Sequence, residues 1–232
     1  GAGMVELTDG KLAAYVGGVL VRLHSNGSPD LSYGDNGIAR PSRSLDLFSP
    51  IYYLAGGELL PDGSAFLAGT ADNPSFPATG RHLFGVMRID AEGRFDPSFA
   101  GGVGYRIDSP FYAAGDGALE GITHVVAPDG QVGLAAQSNR SGGDYADVVL
   151  GPGGNSLTPL RELHYSFDKT EAIALDSVAK LLVAGESDGY VNLYRRRTDG
   201  TLDSGFGVGG QVQTQLRGRP TALAIASNGR IL

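Results

Sequence analysis

The sequence predicts an all-β fold, a β-propeller of about four to five blades with four antiparallel strands in each. Two recurring signals carry that prediction: a turn-plus-aliphatic run met along the whole chain, and a longer template in one register at three places. The third observation is the segments between them, which are rich in β-branched and aromatic residues and have no helical period. The 232 residues read as a single repeat-built domain, with Gly at 37 positions spread as punctuation between strands.

The first signal reads LTDGKLAAYVGG from Leu7, LPDGSAFLAG from Leu60, APDGQVGLAA from Ala127 and ASNGRIL from Ala226. Its turn glycines are Gly10, Gly63, Gly130 and Gly229, and Asp-Gly or Asn-Gly supplies the positive φ angles of a tight hairpin. A weaker copy, LDSVAKLLVAG from Leu175, lacks the Asp-Gly. The second signal reads RLHSNGSPDLSY from Arg22, RIDAEGRFDPSF from Arg88 and RRRTDGTLDSGF from Arg195. Each copy places an Arg (Arg22, Arg88, Arg195), then a turn Gly (Gly27, Gly93, Gly200), then an Asp (Asp30, Asp96, Asp203), then an aromatic (Tyr33, Phe99, Phe206) at constant spacing. A third unit, GPGGNSLTPL, keeps Gly154 but has Val149 for the Arg and Leu157 for the Asp.

These residue types suit a scaffold. The Arg ends a strand such as VLVRL, LFGVMRI or VNLYRR, and the Gly makes the turn. The Asp accepts backbone N–H groups or pairs with the Arg, and the aromatic plugs the apolar layer. The units are 4–49, 51–111, 121–166 and 169–219, followed by a stub, 221–232. Each holds an inner strand such as ITHVVAP, the strand after the first turn, the Arg-bearing strand, and an outer strand such as GQVQTQL, whose alternation suits an exposed edge. A parallel β-helix is the structural rival, although its coils are usually shorter than these units. The chain stops inside a strand-like segment, Gly229–Leu232, which reads as part of a longer protein.

With these residues in view, the chain resembles the delta-60 repeat family of bacterial proteins. Arg195–Gly210 and the following TALAIASNGRIL match it best. The units at Arg22 and Arg88 carry Asn26 and Glu92 where the family favours Asp, and Ala100 where it favours Gly. The resemblance implies a repeat-built β fold in large secreted or surface-associated bacterial proteins, hence an extracytoplasmic location, and it implies no catalytic residue.

Chemistry is sparsely signalled. A net charge of −7 argues against nucleic acid and anionic membrane as partners. No apolar run reaches the roughly 18 residues of a membrane helix, so no membrane insertion is expected. Zero Cys excludes disulfides and thiolate metal sites. The histidines His24, His82, His124 and His164 stand at non-equivalent places in their units, which argues against a metal ring. Asp144 and Asp147 in SGGDYADV are the one weak Ca²⁺ candidate. No nucleophile elbow or phosphate-cradling loop is present, so no catalytic residue and no cofactor is expected. The insertion TADNPSFPATG, with Asp72, Asn73 and Phe76, is the candidate contact loop. The reading that follows is a binding or structural module meeting protein or glycan partners. The alternatives are a hydrolase at the channel mouth and a self-associating segment of a longer array.

Overall fold

Short runs of strand-forming residues, broken by Gly turns, fold into four antiparallel sheets in the computed structural model, which describes residues 3–16, 19–40, 53–72, 82–108, 119–138, 145–158, 161–163 and 169–232. The first sheet holds β1 (Gly3–Glu6), β2 (Leu12–Val16), β3 (Val19–Leu23) and β4 (Ile38–Ala39). The second holds β5 (Tyr53–Leu59), β6 (Ala65–Asp72), β7 (His82–Ile89) and β8 (Tyr105–Asp108). The third holds β9 (Leu119–Val126), β10 (Val132–Ser138), β11 (Tyr145–Leu150) and β12 (Arg161–Leu163). The fourth holds β13 (Lys169–Leu175), β14 (Leu181–Ser187), β15 (Tyr190–Arg196) and β16 (Gln211–Arg217). Strands pair in chain order within every sheet. The first strands follow one another, β1 against β5, β5 against β9 and β9 against β13. The fold is therefore all-β, with sheets arranged as the blades of a β-propeller.

Alternation explains why the blades stack. In β6, Ala65 and Leu67 join Tyr15, Leu20, Tyr33 and Ala39 between the first two blades. The neighbouring residues Phe66 and Ala68 point the other way, into a core shared with Val132, Leu134, Ala136 and Val148 of the third blade. Ala135 and Val149 turn to the fourth blade, where Ile173, Leu181, Val183 and Tyr194 receive them. A strand with period-2 side chains thus buries both faces when it sits between two sheets. The outer strand β16 is half-buried only at alternate positions, as an edge facing water should be.

The hairpin turns differ from a two-residue turn with positive φ at both centres. Leu7 N–H donates to Lys11 O and Gly10 N–H to Leu7 O, so the loop has three residues, and of these only Gly10 has positive φ (79°). Such loops are a type I turn followed by one left-handed residue. The preceding Asp contributes through its side chain: Asp9, Asp62 and Asp129 each accept the N–H two residues on. In the copy without Asp-Gly, Ala179 takes the left-handed place at φ 60° and Asp176 caps Val178 N–H. Residues 221–232 form the same hairpin, with Ile225 bridged to Ile231, and stand largely exposed.

Candidate functional site

The three template copies build one corner three times. Arg22, Arg88 and Arg195 sit near the end of the third strand of their blades, and the chain returns so that Asp30, Asp96 and Asp203 each donate their N–H to the carbonyl of the corresponding Arg at 2.9, 2.9 and 2.8 Å. That backbone bond places each carboxylate beside its guanidinium, with Nε to Oδ2 distances of 2.7, 2.8 and 2.9 Å. The other carboxylate oxygen caps the turn, accepting Ser32 and Ser98 amide and hydroxyl groups and the Gly205 amide. Arg22 lies over the Tyr33 ring at 4.5 Å and Arg195 over Phe206 at 4.7 Å, whereas Arg88 covers Phe66. The lysine after the first turn adds a second cation in two blades, Lys11 to Asp30 and Lys180 to Asp203. In the third unit, Leu157 and Thr158 amides still bond Val149 O, and the buried Thr158 hydroxyl accepts the Val149 N–H, as the Gly37, Gly104 and Gly210 carbonyls accept the Arg amides of the other units.

The corner also reaches the next blade. Nη1 of Arg22 donates to Ala91 O, and Nη1 of Arg88 donates to Pro152 O at 3.1 Å; both carbonyls occupy the same position of the following blade's turn. One residue further along those turns, Glu92 O and Gly153 O accept the Gly34 and Ala100 amides at 2.8 Å each. The turn glycines Gly93 and Gly154 then rest on the preceding blade's aromatic. A Cβ on Gly93 would lie 3.0 Å from Tyr33 Cε2, and one on Gly154 would lie 3.0 Å from Phe99 Cε2. The corners of the first two blades are notches that each receive the next blade's turn as a knob.

Residues 180–206 match a family model. Its description is "Domain of unknown function (DUF5122) beta-propeller". The matched segment of this DUF5122 model runs from Lys180 through Arg195 and Asp203 to Phe206, and so contains the whole fourth corner. No curated protein matches the chain. A crystal structure described as "putative exo-beta-1,3-galactanase from Bifidobacterium bifidum s17" aligns with a TM-score of 0.40 at 11% identity, covering 96% of this chain and 75% of that one. At that identity and score it bears on neither activity nor ligand.

The other sequence candidates fall elsewhere. Asp147 is not a loop carboxylate: it is buried on β11 and accepts a hydrogen bond from Arg196 of the fourth blade, so it is held by a guanidinium and not poised for Ca²⁺. Asp144 lies outside the described residues, as do Asn73, Phe76 and His164. Asp72 ends β6 opposite His82 in the strand register. Among the described residues, no three His, Asp or Glu side chains gather as metal ligands would. No helix among them is long and apolar enough to cross a membrane. His124 comes from β9 to lie against Gly56, where a Cβ would sit 2.7 Å from its Cε1. Burial pushes its pKa below 6.5, opposed by a hydrogen bond to the Gly57 backbone. No spacing in the sequence singled it out.

The corner carboxylates are held in their charged form. Asp30 is lowered strongly from 3.8 by the Ser32 hydroxyl and by Lys11, and Asp203 likewise by Lys180 and the Gly205 amide, in both cases against the cost of desolvation. For Asp96, burial pushes upward, but the Ser98 hydroxyl and amide and the Arg88 charge outweigh it and leave the group below 3.8. Because the folded values lie below the unfolded one, the unfolded chain takes up more protons as the pH falls. The stabilisation is therefore complete above 3.8 and is lost as the pH drops below it toward the folded values. We expect the thermal midpoint, followed by circular dichroism, to decline between about pH 4 and pH 2, with a shallower decline in Asp203→Asn. An Asn variant with an unchanged slope would contradict this.

Proposed function

We propose that the chain is a non-catalytic β-propeller module of the delta-60 repeat kind, belonging to a bacterial secreted or surface-associated protein and meeting protein or glycan partners through its blade loops. The observation that carries this reading is the use made of the template charges. Arg22 and Arg88 each hold their own corner's Asp and the next blade's turn, and Arg195 holds Asp203. Residues repeated for bracing leave recognition to the variable loops between strands, which is where rigid β scaffolds place it. The insertion that leaves β6 at Asp72 and carries Asn73 and Phe76 joins β6 to β7 and belongs to neither template copy.

The purified chain should retain at least one glycan or protein ligand on arrays of both kinds, and release no product from a panel of chromogenic glycosides and esters. Phe76→Ala with Asn73→Ala should weaken the retained ligand by about tenfold, the scale of one lost apolar contact. Product release above the blank would replace this reading with a hydrolase. Retention untouched by the double variant would remove the loop from it.

A further inference from the structure

One register position recurs on the innermost strand of every blade. There Met4 pairs with Ala14, Gly57 with Leu67, His124 with Leu134 and Ile173 with Val183. Of the four residues on the innermost strands, only His124 can ionise. Ile173 packs into the apolar layer between the third and fourth blades. His124 stands at the matching place between the second and third, flanked on β9 by Ile122 and Val126, which pack against the cluster of Phe66, Phe84 and Val132.

The second blade is shaped around the ring. The ladder between β5 and β6 shifts between Leu54 and Gly56, and Gly56 then presents bare backbone to His124. A Cβ built there would lie 2.7 Å from Cε1, 3.4 Å from Nδ1 and 3.8 Å from Nε2, so the edge of the imidazole enters the space a side chain would fill. The ring also bonds the Gly57 backbone; because this bond favours the protonated ring, its acceptor is the carbonyl. A neutral imidazole satisfies that carbonyl with its one N–H, whereas an imidazolium brings a second N–H and a full charge.

No charge on the strands packed against β9 offsets that cost. On β5, Glu58 is exposed, and on β7, Arg88 is bound to Asp96. Asp72 and His82 pair at the far end of β6 and β7, and β10 carries no ionisable residue. Glu120 of β9 lies beyond the irregularity between the Ala135 and Gln137 pairings, and Lys169 and Glu171 belong to β13 of the fourth blade. Burial therefore works against the charged ring, opposed by the Gly57 bond, and holds His124 below 6.5.

We propose that this seam is an acid-sensitive latch: neutral His124 holds β5 against β9, and protonation of the imidazole parts the second and third blades along their innermost strands. An opened seam leaves the ring in water, so the open state takes up the proton first as the pH falls. Closure is complete above 6.5 and weakens by up to about tenfold per pH unit below it, until the folded value is passed. That window lies above the one in which the corner carboxylates act. The inference concerns the seam and is independent of what the loops recognise.

Amide hydrogen exchange, corrected for the intrinsic effect of pH and compared at about pH 7.5 and about pH 5.5, tests it. In the parent chain, protection of β5 and β9 should fall several-fold at the lower pH, while β14 and β15 keep theirs. His124→Gln retains an N–H for Gly57 and cannot titrate, so its protection should be the same at both values. A proton NMR titration of the parent, followed at His124 Cε1–H, should give a midpoint below the roughly 6.5 of a free side chain. This second measurement decides the matter even if the variant fails to fold. An equal fall in His124→Gln, an unchanged parent, or a ring titrating at or above the free value would each overturn the proposal.

Discussion

Arg196→Ala is expected to lower the unfolding free energy by about 3–5 kcal/mol, the cost of leaving a buried carboxylate without its cation. Arg196 and Asp147 are each 1% exposed and meet across the interface of the third and fourth blades. The same guanidinium donates twice to Gly200 O, so its loss also frees a carbonyl of the fourth blade's turn. The pair replaces in this interface the Arg clasp used in the earlier two, since Val149 has no charge to offer. Urea unfolding followed by tyrosine fluorescence would read the change as a lower midpoint at constant slope. The double variant Arg196→Met with Asp147→Leu removes both charges together and should recover most of the loss. A single-variant loss below about 1 kcal/mol, the level of an exposed pair, would show that the charges are not desolvated as placed.

Gly93→Ala should cost about 2–5 kcal/mol, combining strain from a left-handed L-residue with overpacking. Gly93 has φ 84°, and the added Cβ would stand 2.9 Å from Gly34 N and 3.0 Å from Tyr33 Cε2. The nearest of these is backbone, which can yield only if the two blades part. Gly27 is its counterpart in the first blade, with the same left-handed φ and open space around it, so Gly27→Ala should cost the strain alone. The difference between the two variants isolates the blade contact from the turn. Equal losses would mean that the knob does not press on the ring.

The corner was legible in the sequence because its partners are close along the chain. Arg22 and Asp30 are separated by eight positions, and a strand, a three-residue turn and a return of fixed length bring them together each time. The turn glycines were legible for the same reason. The clasp was not, because Arg22 bonds a backbone carbonyl 69 positions away, and a carbonyl leaves no trace in residue type. Asp147 was misread because its neighbours in SGGDYADV look like loop. The signal was present in the alternation of ADVVL: Ala146, Val148 and Leu150 share one apolar face, which sends Asp147 to the other and requires a cation there. Arg196, displaced by one residue from the template Arg195, is that cation. Phe206 shows the limit from the other side. Its residue type promised a buried plug, and how far an aromatic is covered depends on the blade beside it.

The unevenness of the third unit has a consequence for how such a molecule can lengthen. A duplicated copy of the first or second unit would arrive with a turn for the blade before it and a corner for the blade after it, and could be inherited in one event. A duplicate of the third would bring Val149 and Leu157 to the joint and would need an Arg196 on its following neighbour to balance its own Asp147. Duplication of the first or second unit is therefore self-sufficient, whereas the eroded unit with its private partner is tied to its successor as a pair.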